Sequence, residues 1–422
     1  MAPSIEAPTR EPSWMSALRA QARKKFQDMK WPSTAEEEWR RTDVSRLGLD
    51  AYRPAAAGAV RTAKPREADR GTSAGVIRFE SGVCTGIGLD PDLAARGVRL
   101  LPLTAALEEF ETPLHSLYQH ALEEADNRFL IWHYGEWSHG ALLWVPAGLE
   151  ITAPFIVDFR ETGEGTMSAP HLAVLLGTGA RATVVHRLGT LPGASKAGVL
   201  CNPVVDAKLG DAAGLALWEQ QELAPADIVV RHTRAAVGRD ASLRHFGAEL
   251  GARLSKTRVD CSLDGPGAEA FLDGAYYCGK GQHMDLRTVQ RHHSPKAMSR
   301  AVYKGAVAAG GRTVYQGLIE VSPGASGTDA WLTNRNLILG ETARSDSIPT
   351  LRIGNNDVKC SHGSTTGKLN PEELFYLQTR GYRAADAREM LVIGYFEDLL
   401  AEAPEVFREE TLGVIRDRLT AA

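Results

Sequence analysis

The chain has 422 residues, enough for two or three domains at roughly 150 residues each or for one long repetitive core. Hydrophobic residues make up 43% and charged residues 24%, an ordinary globular balance that excludes a mainly disordered chain. With 48 basic against 52 acidic residues the formal charge is -4, so no overall basic field points to nucleic acid or to an anionic membrane surface.

No apolar run approaches the ~18 residues that a membrane helix requires, and the amino terminus has no apolar signal-peptide core. The expected compartment is the cytoplasm. Cys84, Cys201, Cys261, Cys278 and Cys360 are widely spaced, odd in number and include no CxxC, which argues against a disulfide framework and a zinc ribbon. Most are expected to be small buried hydrophobes.

In chain order, Trp14, Leu18, Ala22 and Phe26 recur every four residues, and Thr34 precedes an acidic first turn in Ala-Glu-Glu-Glu-Trp-Arg-Arg. Two amphipathic helices are expected over the first fifty residues. Residues 54–74 read as a linker. A strand is expected at Val76–Glu80 before Ser81-Gly82, and a helix over Thr104–Glu124, where Leu107, Phe110, Leu114, Leu117 and Leu122 are spaced for one face.

From about Gly140 to Gly367 short runs of Val, Leu, Ile and Thr alternate with glycine and with Pro-Gly or Asp-Gly pairs. Ala141–Val145, Leu172–Leu176, Thr313–Val321 and Asn336–Leu339 are examples. Many short strands follow from this, arranged as an antiparallel sandwich or barrel, or as a parallel solenoid. At roughly 20 residues per coil a solenoid would have about ten to eleven coils. The last fifty residues return to helix: Asn370 caps, Pro371 takes the first helical position, Glu373 the capping-box position, and Gly381 stops the helix. Ala384–Ala403 and the Leu412, Ile415, Leu419 stripe give two more.

Catalytic signatures are near-misses. Gly363-Ser-Thr-Thr-Gly367-Lys368-Leu369 is one residue short of a phosphate loop and carries leucine where the magnesium-binding hydroxyl belongs; Gly177-Thr-Gly179 lacks the third glycine of a dinucleotide turn. Arg287, Arg291, His292, His293, Lys296, Arg300 and Lys304 form a basic stretch without a stacking pattern, expected to be a solvated sheet surface. His292 and His293 would face opposite ways if extended. In Asp357-Val-Lys-Cys-Ser-His-Gly363, an extended backbone would put Cys360 and His362 on one face, with α-carbons about 6.5 to 7 Å apart. A thiolate and an imidazole suit iron or zinc, but two donors fall short of the usual four. Either both are structural or further ligands come from another chain.

Thr328-Asp-Ala-Trp-Leu-Thr-Asn-Arg-Asn-Leu-Ile-Leu-Gly340, Asp357–Gly363 and Glu373-Leu-Phe-Tyr-Leu-Gln-Thr-Arg-Gly381 together resemble the SufB/SufD family of iron–sulfur cluster assembly proteins, and VKCSHG has the SufD form. Ser299–Gly305, Tyr315–Leu318 and Glu38–Asp43 extend the likeness from about residue 30 to the end. The resemblance implies a right-handed parallel β-helix core over 137–367, a helical and mixed region over 1–136 and a helical region over 368–422. It implies a cytoplasmic, noncatalytic scaffold that pairs with SufB through the ends of the β-helices and with the ATPase SufC through the carboxy-terminal helices, from Glu373 to Leu400. A homodimer of the isolated chain is compatible with the resemblance but not specified by it. His362 matches the family histidine facing a SufB cysteine and Cys360 its neighbour, so iron or a nascent cluster would be shared with SufB, with no nucleotide bound here. The rival classes are a β-helix carbohydrate-active enzyme and a plain oligomerising adaptor.

Overall fold

The computed structural model describes residues 11–54, 73–162, 165–191 and 198–420. The expected linker lies almost wholly outside the described residues.

Strands that follow one another in sequence fall alternately into two sheets, and each pairs in parallel with the strand one full turn away. Sheet A runs from Arg99–Pro102 and His139–Val145 to Arg312–Val321 and Arg344–Ile353; sheet B runs from Val83–Leu89 and Gly75–Glu80 to Thr328–Ile338 and Val358–Lys368. This is a parallel β-solenoid of about eight turns flanked by helices at both ends of the chain. Antiparallel pairs occur at its first end, where Val83–Leu89 folds back on Gly75–Glu80 and Arg99–Pro102 lies against His139–Val145.

The coils are fewer and longer than the ten to eleven expected. Leu254 pairs with His283 and His283 with Arg312, a step of 29 positions each time. Each turn carries two strands of about ten residues and two corners, which the 20-residue period underestimated. Of Asn336–Leu339, the first three residues are accordingly the tail of the longer strand Thr328–Ile338, and Leu339 follows it.

The A-to-B corners stack. Ala212, Asp240, Gly267, Lys296 and Gly327 all have positive φ, between 53° and 71°. Each donates its backbone N–H to a carbonyl in the next corner, ending with Gly327 to Asp357 at 2.7 Å. One coil's corner therefore templates the next. The approach is close: a β-carbon on Gly265 would stand 2.0 Å from the Arg239 nitrogen.

Inward side chains such as Leu217, Leu243, Leu272, Leu286, Ile319 and Leu332 fill the lumen. Helices cover the outside unevenly. Helices α1 (Ser13–Asp28), α2 (Pro91–Ala95), α3 (Leu103–Glu109), α4 (Glu111–Glu124) and α5 (Arg128–Glu136) belong to the amino-terminal half, and α1, α3, α4 and α5 pack Met15, Leu107, Tyr118 and Phe129 with outward residues of sheet A. Pro170–Leu176 is consequently buried on both faces and reads as a continuous apolar run. At the carboxy terminus α6 (Pro371–Thr379) is followed by α7 (Ala384–Glu397) and α8 (Glu405–Thr420), and the latter two lay Val392, Phe396, Phe407 and Ile415 against Trp218, Phe246 and Tyr277 of sheet B. Asn370 caps α6, its side chain accepting from the Glu372 amide at 2.9 Å.

Two helical expectations are corrected. The block from Thr34 forms successive three-residue turns, Glu36 to Ser33, Trp39 to Glu36 and Thr42 to Trp39, in place of a second helix. Its backbone is claimed by the sheet: the Glu38 carbonyl accepts from Lys256 (2.9 Å) and Gln316 (3.0 Å), while Trp39 stacks on Phe129. The helix expected over Thr104–Glu124 breaks at Phe110, because Pro113 has no N–H to continue the ladder and is tolerated only in the first turn of α4.

Candidate functional site

Val358–Lys368 is the last strand of sheet B, and Arg344–Ile353 the last of sheet A. Both leave one backbone edge unpaired among the described residues, at the same end of the solenoid. Burial falls toward this end: most side chains of Val358–Lys368 are exposed, whereas Thr328–Ile338 beneath it alternates buried and exposed.

The register decides where Cys360 and His362 point. Cys360 pairs with Ala330 and His362 with Leu332, both of which face the lumen core. Registered residues in parallel strands share a face, so Cys360 and His362 stand on the inward row of the terminal coil, above the core and at its open mouth. Across the lumen the inward row of sheet A supplies Ser345, Ser347, Pro349, Leu351 and Ile353, paired with Thr313, Tyr315, Gly317, Ile319 and Val321. Cys360 is half-buried and His362 exposed. Partial burial and then the Asp329 charge raise the Cys360 thiol above its ordinary range, so the isolated chain does not hold it as a ready thiolate.

The mouth is open beyond the terminal strands and closed below. One coil down, Asn334 and Asn336 face inward; the Asn336 amide donates to the Asn334 carbonyl oxygen (2.7 Å), and Tyr276 donates to Asn336 (2.5 Å). Among the described residues no three His, Cys, Asp or Glu side chains are arranged to hold a metal ion. Cys360 and His362 are thus a soft and a borderline donor without further His, Cys, Asp or Glu side chains grouped to complete a metal site among the described residues.

The other cysteines are elsewhere. Cys84, Cys201, Cys261 and Cys278 are buried, free thiols; burial pushes Cys84 up to about 11 and Cys278 to about 12. The basic stretch disperses. His292 is buried and bonded to Ser299 (2.7 Å), His293 is exposed and bonded to Ser322 (3.0 Å), Arg291 pairs with Asp260 and Glu320, and Lys304 pairs with Asp398 of the carboxy-terminal region. Gly363–Lys368 is extended strand without the loop and helix start that cradle a phosphate.

Sequence reading missed the sheet A half of the mouth and the inward asparagines. The asparagines had a signal: Ala330, Leu332, Asn334 and Asn336 alternate onto one face. A deeper polar cluster had none, because its members come from different coils. Glu219, fully buried, accepts from Thr233 (2.6 Å) and bonds to His186 (2.9 Å) and His245 (2.7 Å). Burial opposes ionisation there, but Arg231 and the two histidines hold the carboxyl well below its usual range.

Helix α6 exposes its apolar side chains: it buries none, and Phe375 is 67% and Tyr376 56% exposed. No helix of the described residues is long and apolar enough to cross a membrane.

Residues 159–395 match the family model described as "SUF system FeS cluster assembly, SufBD core domain". An iron–sulfur cluster assembly SufBD family protein of Mycobacterium tuberculosis is 34% identical over 289 residues, 66% of each chain and so just under two thirds of that relative. One from Staphylococcus epidermidis is 25% identical over 423 residues, covering 96% of this chain and 89% of the relative. The iron–sulfur cluster assembly protein SufB of Bacillus subtilis is 26% identical over 351 residues, 83% of this chain and 75% of that protein. With more than half its length matched by the core model, and with the solenoid that carries the matched residues, the chain belongs to the SufB/SufD family of iron–sulfur cluster assembly proteins of the SUF system.

Proposed function

We propose that the chain is a SufD-type, noncatalytic scaffold subunit that pairs end to end with SufB and offers Cys360 and His362 to iron or a nascent iron–sulfur cluster. The observation that carries this reading is the position of the two donors on the inward row of a strand with an unpaired edge. A second solenoid adding its terminal strands would satisfy the open backbone groups. It would also close the mouth and bring further ligands into a site that has only two. The cargo is held between chains, so neither chain alone forms a complete cluster site.

The exposed apolar face of α6, with Phe375 and Tyr376, is the docking surface for the ATPase SufC, and nucleotide turnover belongs to that partner. Helix α7 links this face to the solenoid through Lys304, which donates to the Tyr395 carbonyl (2.9 Å) and pairs with Asp398 at the end of the helix (2.5 Å). Movement of α6 and α7 would therefore load sheet B, whose last strand carries His362.

The test is co-purification of the His362→Ala chain with SufB and SufC, followed by anaerobic iron and sulfide analysis. The expected result is an assembled complex with reduced cluster formation. Undiminished cluster maturation in that variant removes the ligand role of His362, and a complete cluster on the isolated chain removes the shared site.

A further inference from the structure

A column of outward side chains on sheet B lies outside the donor row. Register places Arg244 beside Phe271, Phe271 beside Arg300, Arg300 beside Trp331 and Trp331 beside Ser361 of the terminal strand. The Arg244 guanidinium lies 5.2 Å from the Phe271 ring centre, and Arg300 lies 5.3 Å from the same ring and 5.7 Å from that of Trp331. Cation and aromatic alternate along the column. Its cations are tethered at the sides, Arg244 to Glu402 (2.8 Å) and Arg300 to Asp273 (3.5 Å).

Phe271 has a guanidinium from the strand on either side. Among the described residues Trp331 has one only, from Arg300; on the side of the open edge stands Ser361, too short to cover an indole. Trp331 is 37% exposed although it lies in the middle of a strand paired on both sides. Indole is the strongest of the aromatic cation acceptors. Strands are spaced about 4.8 Å apart, which puts a side chain on an added strand roughly 10 Å from Trp331, within reach of a long side chain that lies across a serine.

We infer that the SufB-type partner strand continuing sheet B beyond Val358–Lys368 presents a lysine or arginine beside Ser361, and that its charged head caps the open face of Trp331. This rests on the end-to-end pairing proposed above. It adds a recognition contact on the outer face of the seam, separate from the donors on the inner face, and it favours a cationic over an acidic or apolar residue at that partner position.

The test mixes the purified full-length chain with its SufB-type sister chain and reads two quantities. Hydrogen exchange at Val358–Lys368 reports strand addition; dissociation constants for the wild-type chain, Trp331→Phe and Trp331→Leu report the cap. Protection of the edge amides, with pairing weakened on the order of ten-fold by Trp331→Leu and much less by Trp331→Phe, supports the contact. Equal affinity of all three chains, with the edge still protected, overturns the cap and leaves the pairing standing. Absence of edge protection in the wild-type mixture overturns both. Edge protection in this chain alone, unchanged by the sister chain, assigns the seam to a second copy and overturns the partner assignment.

Discussion

Tyr276 lies across Gly305 of the next coil, so closely that a β-carbon on Gly305 would stand 1.9 Å from its ring, and it reaches past that glycine to donate to Asn336. The glycine thereby lets one coil's aromatic residue bond to the coil two strands further on, just below the mouth. Gly274 and Tyr303 make the reciprocal contact between the same two strands: Tyr303 lies back across Gly274, where a β-carbon would stand 2.4 Å from its ring.

Gly305→Ala should destabilise the chain by about 1 to 3 kcal/mol, the usual range for overpacking a close-packed interior. Tyr276→Phe removes the hydrogen bond without adding volume and leaves Asn336 short of a donor, at a cost of about 1 to 3 kcal/mol. Urea titration of each variant measures both. A Gly305→Ala chain as stable as wild type would mean that the ring moves aside at no cost.

Stability should fall as pH drops from about 7 to 4. Burial lowers His292 to about 4 and His171 to about 3, and lowers His133 and His283 as well. Unfolded, these imidazoles bind protons near 6.5, so the unfolded state takes up more protons across this window and is favoured as pH falls. His292 alone accounts for roughly 2 kcal/mol at pH 5. Thermal melts at pH 7.5, 6 and 5 check this; His292→Gln should flatten the slope, and an unchanged midpoint across the series would contradict it.

Thiol chemistry should single out one position. In the native chain Cys360 should be the first cysteine alkylated by iodoacetamide, slowly because its thiol is raised, while Cys84, Cys201, Cys261 and Cys278 react after unfolding. Peptide mass spectrometry reads the order. Addition of SufB should protect Cys360 if the mouth is closed as proposed.

Helix α6 should tolerate change without loss of fold. Phe375 is largely exposed, so Phe375→Asp should alter stability by less than about 0.5 kcal/mol. The same change should abolish retention on immobilised SufC. Normal SufC binding would move the docking surface away from this face.

Much of this architecture was legible in one dimension. Glycine punctuation and β-branched runs marked the strand-rich core, and Asn370-Pro371 marked the start of α6. Alternation put Cys360 and His362 on a common side. The failures have a common cause. The segment from Thr34 carries a helix signal, but Lys256 and Gln316, more than two hundred residues away, capture the Glu38 carbonyl; coil length depends on how strands and corners stack, which no local pattern specifies.

By itself the sequence settled what is covalent and local: which residues can extend, where the chain must turn, where a helix can begin, and which side chains can donate to iron. Only the tertiary structure decided that the shared side of Cys360 and His362 is the lumen side, that their strand is the last one, and that its edge is open. Those facts arise from pairing between residues about thirty positions apart, and the free energy of that pairing resides in stacked corners and a filled interior that exist only once the coils are assembled.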